Sequence, residues 1–243
     1  MIIKPTAQGI FYPCGQKDLT ELFNKFETAE VNEFSKLIIV PHAGYEYSGE
    51  LAFKAYGNLD KDVKNIIIIA PAIYNRIYGS VSCNAESFET PFGQVKIKPA
   101  ELEINNSVFE CESALTVQLP IIKYLFPNAT VTPVIYGCED YKYTAEFINK
   151  NIKDSSIVIA TNLSRFVPER EAIKLDGQTA RMIERKQIQD LDNELADGAV
   201  GICAAIEFAK TQNLNFVQKG LSNSAKTNDD TSSVVGYGAW SLV

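Results

Sequence analysis

The sequence contains a single histidine, His42. A metal centre built from several imidazoles is therefore excluded, because one ring supplies one ligand. A serine–histidine–aspartate arrangement would have to use the same ring, and no G-x-S-x-G elbow accompanies it. The signatures G-x-G-x-x-G and G-x-x-x-x-G-K-[ST] are also missing, which weighs against dinucleotide and nucleotide binding. Cysteine is sparse as well. Cys14, Cys83, Cys111, Cys138 and Cys203 are odd in number, and none is spaced as C-x-x-C or C-x-x-x-C. Zinc sites and redox pairs favour such spacing, so most of the five are expected to be small buried side chains.

Positive charge is in deficit: 23 Lys and Arg face 30 Asp and Glu, for a formal net charge of −7. Phosphate backbones and anionic membranes recruit clustered Lys and Arg, so neither nucleic acid nor a membrane is the expected partner. The longest apolar run, Ile66 to Ile73, is far too short to span a bilayer. The opening MIIKPTAQGIFYP carries no long apolar stretch behind a basic start. A cytoplasmic protein is expected. No Pro/Gly/Ser-rich linker or internal repeat divides the 243 residues, and a hydrophobic content of 46% is ample for a packed core. One α/β domain over residues 1–243 follows as the expectation.

What is present is an alternation of strand and helix. Leu37 to Val40 and Ile66 to Ile69 are continuous β-branched and aliphatic runs, the pattern of strands covered on both faces. Val131 to Tyr136 and Ser156 to Ala160 read the same way, with a helix from Tyr143 to Asn151 between them. Asp18 and Glu21 suggest a capped helix bearing Leu19, Leu22, Phe23 and Phe26, and Ser48 is placed to cap another bearing Leu51 to Tyr56. Val81 to Cys83 and Gln94 to Ile97 suggest short strands about a turn at Pro91-Phe92-Gly93. Pro120 implies a helix that starts near Thr116 or kinks. A charged helix from Glu169 to about Gln189 has Gly177 as a possible break, and Asp197-Gly198 precedes an apolar helix. Val234 to Val243 closes the chain as a strand.

The segment richest in chemistry is Pro41-His42-Ala43-Gly44-Tyr45-Glu46-Tyr47-Ser48-Gly49. It follows a buried strand and precedes a helix, and ligands of α/β sheets bind at the carboxyl ends of strands. A histidine there can ligate metal or move protons. The plainer role is to hydrogen-bond the backbone and hold a glycine-bearing turn. Tyr45 and Tyr47 can line a pocket or simply pack.

PHAGYEYSG resembles the PHAGY-x-YSG hallmark of the Memo family, also called the AmmeMemoRadiSam system protein B family. The likeness extends over nearly the whole chain. Ala7 to Pro13 resembles the family's AGxFYP opening, Val117-Gln118-Leu119-Pro120 its VQLP, and Ser232 to Ala239 its closing SSVxxYAA. The resemblance implies a three-layer αβα fold with a mixed, mainly parallel central sheet, shared with class III extradiol dioxygenases. It also implies a metal site of two histidines and a cysteine, set among acidic and imidazole groups.

Position by position, most of that site is replaced. His42 matches the first histidine. The second ends a GPSH motif matched by Ala70-Pro71-Ala72-Ile73, so Ile73 stands in its place. The EHSxE stretch appears as Glu112-Ser113-Ala114-Leu115-Thr116, keeping the first carboxylate and putting Ser113 at the histidine. SSDxSH appears as Ala160-Thr161-Asn162-Leu163-Ser164-Arg165, with Asn162 for an aspartate and Arg165 for a histidine. Asp197-Gly198 matches the family's CG pair, and Cys203, almost two helical turns on, reads as a packed residue.

A protein-bound transition metal usually takes three or more imidazole, thiolate or carboxylate ligands, and His42 with Asp197 supplies two. The expectation is a binding protein without a metal cofactor. Its remodelled cleft, with His42, Tyr45, Ile73, Glu112, Ser113, Gln118, Asn162, Arg165 and Asp197 as candidates, would take a small anionic ligand or a protein partner. Arg165 points that way, since a fixed cation repels a metal ion and attracts carboxylate or phosphate, unless it is tied in a salt bridge to Asp197 or Glu112. The alternative is a non-haem, dioxygenase-like oxidoreductase holding iron, copper or manganese with His42 and new carboxylates from Glu46, Glu112 or Asp197.

Overall fold

The protein is described here from a computed structural model over residues 1–26 and 34–243. The main sheet is built from β1 (Leu37–Val40), β2 (Asn65–Pro71), β3 (Ser80–Ser82), β4 (Glu103–Ile104), β5 (Thr130–Tyr136), β6 (Ser156–Ala160), β7 (Arg165–Val167), β8 (Phe216–Asn223) and β9 (Val234–Leu242). Their order is β7-β9-β1-β6-β2-β5-β3-β4, with β8 on the outer side of β9. The central four, β1, β6, β2 and β5, run parallel. Antiparallel pairing appears at both margins, where β3 joins β5 and β9 joins β1.

Alternation along these strands sends side chains to two cores. Ile38, Val40, Ile66, Ile68, Val131, Ile135 and Val158 enter one. Leu37, Ile39, Ile67, Ile69, Val134, Ile157 and Ile159 enter the other. Both faces are thus apolar, which is why the runs read as continuous rather than alternating. Helices α1 (Gln16–Phe23), α2 (Glu50–Tyr56), α3 (Ser113–Thr116) and α4 (Gln118–Leu125) pack into the first core, and α5 (Tyr141–Asn151), α6 (Glu169–Glu184) and α7 (Ala199–Gln212) into the second. The result is a three-layer αβα arrangement around a mixed sheet.

Several local expectations are corrected. Ser48 caps nothing: Tyr45–Gly49 winds as a π-helical turn that runs directly into α2, with the Ser48 N–H donating to the Gly44 carbonyl. Asp18 lies inside the first turn of α1, where its charge suits the helix dipole, while Gly15 occupies the cap position with no side-chain bond. The expectation for Pro120 agrees with the structure: the chain breaks at Val117 and a new helix starts at Gln118, so Pro120 falls in the first turn of α4, where an N–H has no intrahelical partner to lose. Gly177 does not interrupt α6, which ends earlier than expected, at Glu184.

Val95–Lys96 pairs with Ser87–Phe88 rather than with β3, and Ile2–Ile3 completes that separate small sheet. The strands β7 and β8 carry no strong apolar pattern; β8 is exposed or half-buried over most of its length because it lies outside β9. Only Cys83 and Cys203 of the five cysteines are buried, since Cys14, Cys111 and Cys138 lie in surface connections.

Candidate functional site

Because β1, β6, β2 and β5 are parallel and adjacent, the segments leaving their carboxyl ends gather on one edge. Pro41-His42 leaves β1, Thr161-Asn162 leaves β6, Ala72-Ile73 leaves β2 and Gly137 leaves β5. Asp197, just before α7, reaches the same edge across 155 positions of sequence.

His42 is buried, and its Nε2 lies 3.1 Å from Asp197 Oδ1. Asn162 holds it from the other side. The His42 backbone N–H can only donate, and it does so to Asn162 Oδ1 at 3.0 Å, which turns the amide nitrogen of Asn162 toward His42 Nδ1 at 3.4 Å. That nitrogen donates, so Nδ1 accepts and the ring hydrogen sits on Nε2, aimed at the carboxylate. Asp197 Oδ1 also accepts from the Asn162 N–H at 2.8 Å and the Thr161 hydroxyl at 3.4 Å. Thr161 in turn accepts from the Gly198 N–H at 2.9 Å. A Cβ on Gly198 would stand 2.5 Å from Thr161 Cβ, so only glycine lets the start of α7 approach β6 this closely.

Glu112 has another task. Fully buried, its carboxylate accepts the successive backbone N–H groups of Ile73, Tyr74 and Asn75 at 2.8–3.0 Å, and the Asn75 side-chain amide at 2.8 Å. It is the anion in a nest of amides and fixes the loop after β2. Gln118 is equally committed: its Nε2 donates to the Pro41 carbonyl at 3.0 Å, and its Oε1 accepts from Tyr56 at 3.1 Å. Tyr45 stacks on Tyr12 with ring centroids 5.4 Å apart and donates to the Val117 carbonyl. Burial, with smaller contributions from Tyr12 and Tyr56, pushes its hydroxyl well above the usual tyrosine range. Gln118 and Tyr45 therefore support the histidine turn from within, and Glu112 supports the loop after β2.

The remaining candidates spread out. Ser113 is buried, 3.4 Å from the Tyr74 hydroxyl, whereas Ile73 reaches the surface, 37% exposed. Glu46 is exposed in the π turn. Arg165 does not join His42: it is exposed and donates to the Asn193 carbonyl at 3.3 Å. It lines a cavity of about 760 Å³ together with Glu171, Asp190, Asp192 and Glu194, so its surroundings are acidic. Neither salt bridge considered for Arg165 forms. Cys203 is packed in α7, and burial raises its thiol to about 11.

Asp197 lines a different cavity, of about 370 Å³, with Asn75, Arg76, Tyr136, Gly137, Glu139 and Asn193 among its walls. Arg76, Asn75 and Asn193 escaped the sequence reading. Arg76 lies only three residues beyond Ile73, in the loop that leaves β2, and that position was the available signal. Among the described residues Arg76 forms no ion pair, and its guanidinium lies 5.6 Å from the Tyr78 ring centroid. Glu139 is occupied by the hydroxyls of Ser80 and Thr144. Among the described residues, no three His, Cys, Asp or Glu side chains are grouped to hold a metal ion.

An αβα sheet with a buried histidine turn at its carboxyl edge defines the architectural class. The profile of the family described as Memo-like protein matches residues 4–241. The chain is 29% identical to a MEMO1 family protein of Aquifex aeolicus (strain VF5), covering 96% of both chains. It is likewise 29% identical to one from Methanococcoides burtonii, over 97% of this chain and 98% of the relative. A third, from Thermoplasma volcanium, is 28% identical over 98% and 97%. The chain belongs to the Memo-like protein family.

Proposed function

We propose that this protein is a binding member of its family, whose cleft at the carboxyl edge of the sheet takes a small ligand bearing a carboxylate or phosphate, without a metal cofactor. The observation that carries this is Arg76, which lines the 370 Å³ cavity and forms no ion pair among the described residues. A guanidinium with free donors is suited to carboxylate and phosphate. Asn75 and Asn193 add polar groups beside it. The volume lies in the range of small-molecule pockets, roughly 300–1,000 Å³, and its concavity favours a small ligand over a protein face.

The donor set does not fit the metal that the family resemblance implies. His42 and Asp197 are hydrogen-bonded to each other, and Nδ1 of His42 faces Asn162. Glu112 is taken up by backbone amides, Glu46 is exposed and Ile73 has no donor. Holding a metal would require breaking several of these contacts.

Titration of untagged protein with iron(II) and copper(II) tests the metal clause. No stoichiometric binding that depends on His42 is expected; one metal per chain, lost in His42→Ala, would overturn it. Calorimetry with inorganic phosphate and acetate tests the anion clause. Binding weakened roughly tenfold or more in Arg76→Gln is expected, the size of a lost hydrogen bond to a charged group. Equal binding by the variant would reject the cleft reading.

A further inference from the structure

A bare anion leaves one feature of this cavity unmatched. The Asp197 side chain is only 4% exposed, yet it lines the cavity. All of its hydrogen bonds within the described residues, from His42, Asn162 and Thr161, fall on Oδ1. Oδ2 receives none. Oδ2 is not sealed from solvent, but it belongs to a side chain that is largely desolvated, so a complementary donor in the cavity would be favoured there over the little water it meets. A cation is favoured most, because Coulomb attraction strengthens as solvent is excluded.

Other charged groups in the cavity are accounted for. Both oxygens of Glu139 accept from the hydroxyls of Ser80 and Thr144, which leaves its negative charge at the cavity wall, and Arg76 on the rim is the site proposed above for the anion. His42 donates to Oδ1 and has its other nitrogen on Asn162, so it does not supply Oδ2. The cavity therefore presents one open cationic group and one open anionic oxygen. A purely anionic ligand would satisfy Arg76 and be repelled by Asp197.

We infer that the ligand is a small zwitterion, its ammonium docked on Asp197 Oδ2 and its carboxylate or phosphate on Arg76. This inference rests on the anion-binding reading of the same cleft and narrows its ligand class. The two oxygens of Asp197 divide the work: Oδ2 suits an ammonium, and Oδ1 holds the histidine turn in place.

The test is calorimetry on the intact chain with two homologous series. One contains glycine, β-alanine, 4-aminobutyrate and 5-aminopentanoate. The other contains the matching unsubstituted carboxylates from acetate to pentanoate. At least one amino acid is expected to bind roughly tenfold or more tightly than its matching carboxylate, as a charged hydrogen bond would provide. Asp197→Asn should abolish that preference, because the amide keeps an oxygen for His42 but loses the charge and puts an N–H donor where Oδ2 accepted. Carboxylate binding should be retained or strengthened as the repulsion is removed. Thermal unfolding of the variant checks that it folds, and the comparison of the two series on the unaltered protein stands independently of it.

Carboxylates that bind through Arg76 as tightly as their amino counterparts would overturn the zwitterion and leave the anion cleft standing. A preference for the amino acids that survives in Asp197→Asn would also overturn it. Binding by neither series would overturn both readings.

Discussion

A histidine beside a carboxylate resembles a proton-transfer pair, but neither ring nitrogen of His42 is open to a substrate. Nε2 faces Asp197 and Nδ1 faces Asn162, and the ring is buried. The pair acts as a clamp between β1, β6 and the start of α7. Asn162→Ala should leave the His42 N–H unpaired in the interior and cost about 1–3 kcal/mol, read from urea unfolding. A second buried acid shows the opposite economy. Asp176 accepts the Ser164 N–H at 3.0 Å, and burial raises its carboxyl from 3.8 to about 6, partly offset by that bond. The folded state therefore holds this proton more tightly than the unfolded chain. Stability from this group is full below about pH 4 and declines as pH rises toward 6, by on the order of 3 kcal/mol. Unfolding measured from pH 4 to 7 should show this decline relative to Asp176→Asn, which does not titrate; parallel curves would refute it.

Among the elements, the loop after β2 is the clearest case of a local structure that is set from elsewhere in the chain. Ile73 stands where the family resemblance implies a histidine, but the loop is shaped by Glu112, from the segment preceding α3. Glu112→Ala would strand three backbone donors together. A loss of about 3 kcal/mol is expected from such a set, with faster hydrogen–deuterium exchange at Ile73, Tyr74 and Asn75. Unchanged exchange there would show that the nest does not hold the loop. Arg76 follows immediately, so the same variant should also loosen its placement against the cavity.

For the molecule as a whole, the excess of acid over base governs long-range behaviour. With a net charge of −7, polyanions should be repelled. Gel-shift assays with duplex DNA and with RNA at about 0.1 M salt, where screening acts over about 10 Å, should show no complex. A salt-sensitive complex would reveal a basic face that the overall charge conceals.

The central strands were legible in the residues themselves, because burial on both faces demands unbroken β-branched runs such as Ile66 to Ile69. So were the family and the position of His42 beyond β1, since local motifs carry both. The margins were harder to read. β8 shows no apolar period because it lies outside β9, and the α2 cap was misplaced because a π turn leaves no terminus for Ser48 to close. Only the tertiary structure decided which groups share a cavity: Arg165 lies among carboxylates, while Arg76 shares a cavity with Asp197. Sequence spacing orders residues along one helix or strand, but which oxygen of Asp197 meets a ring 155 positions away depends on how parallel strands and α7 pack against each other.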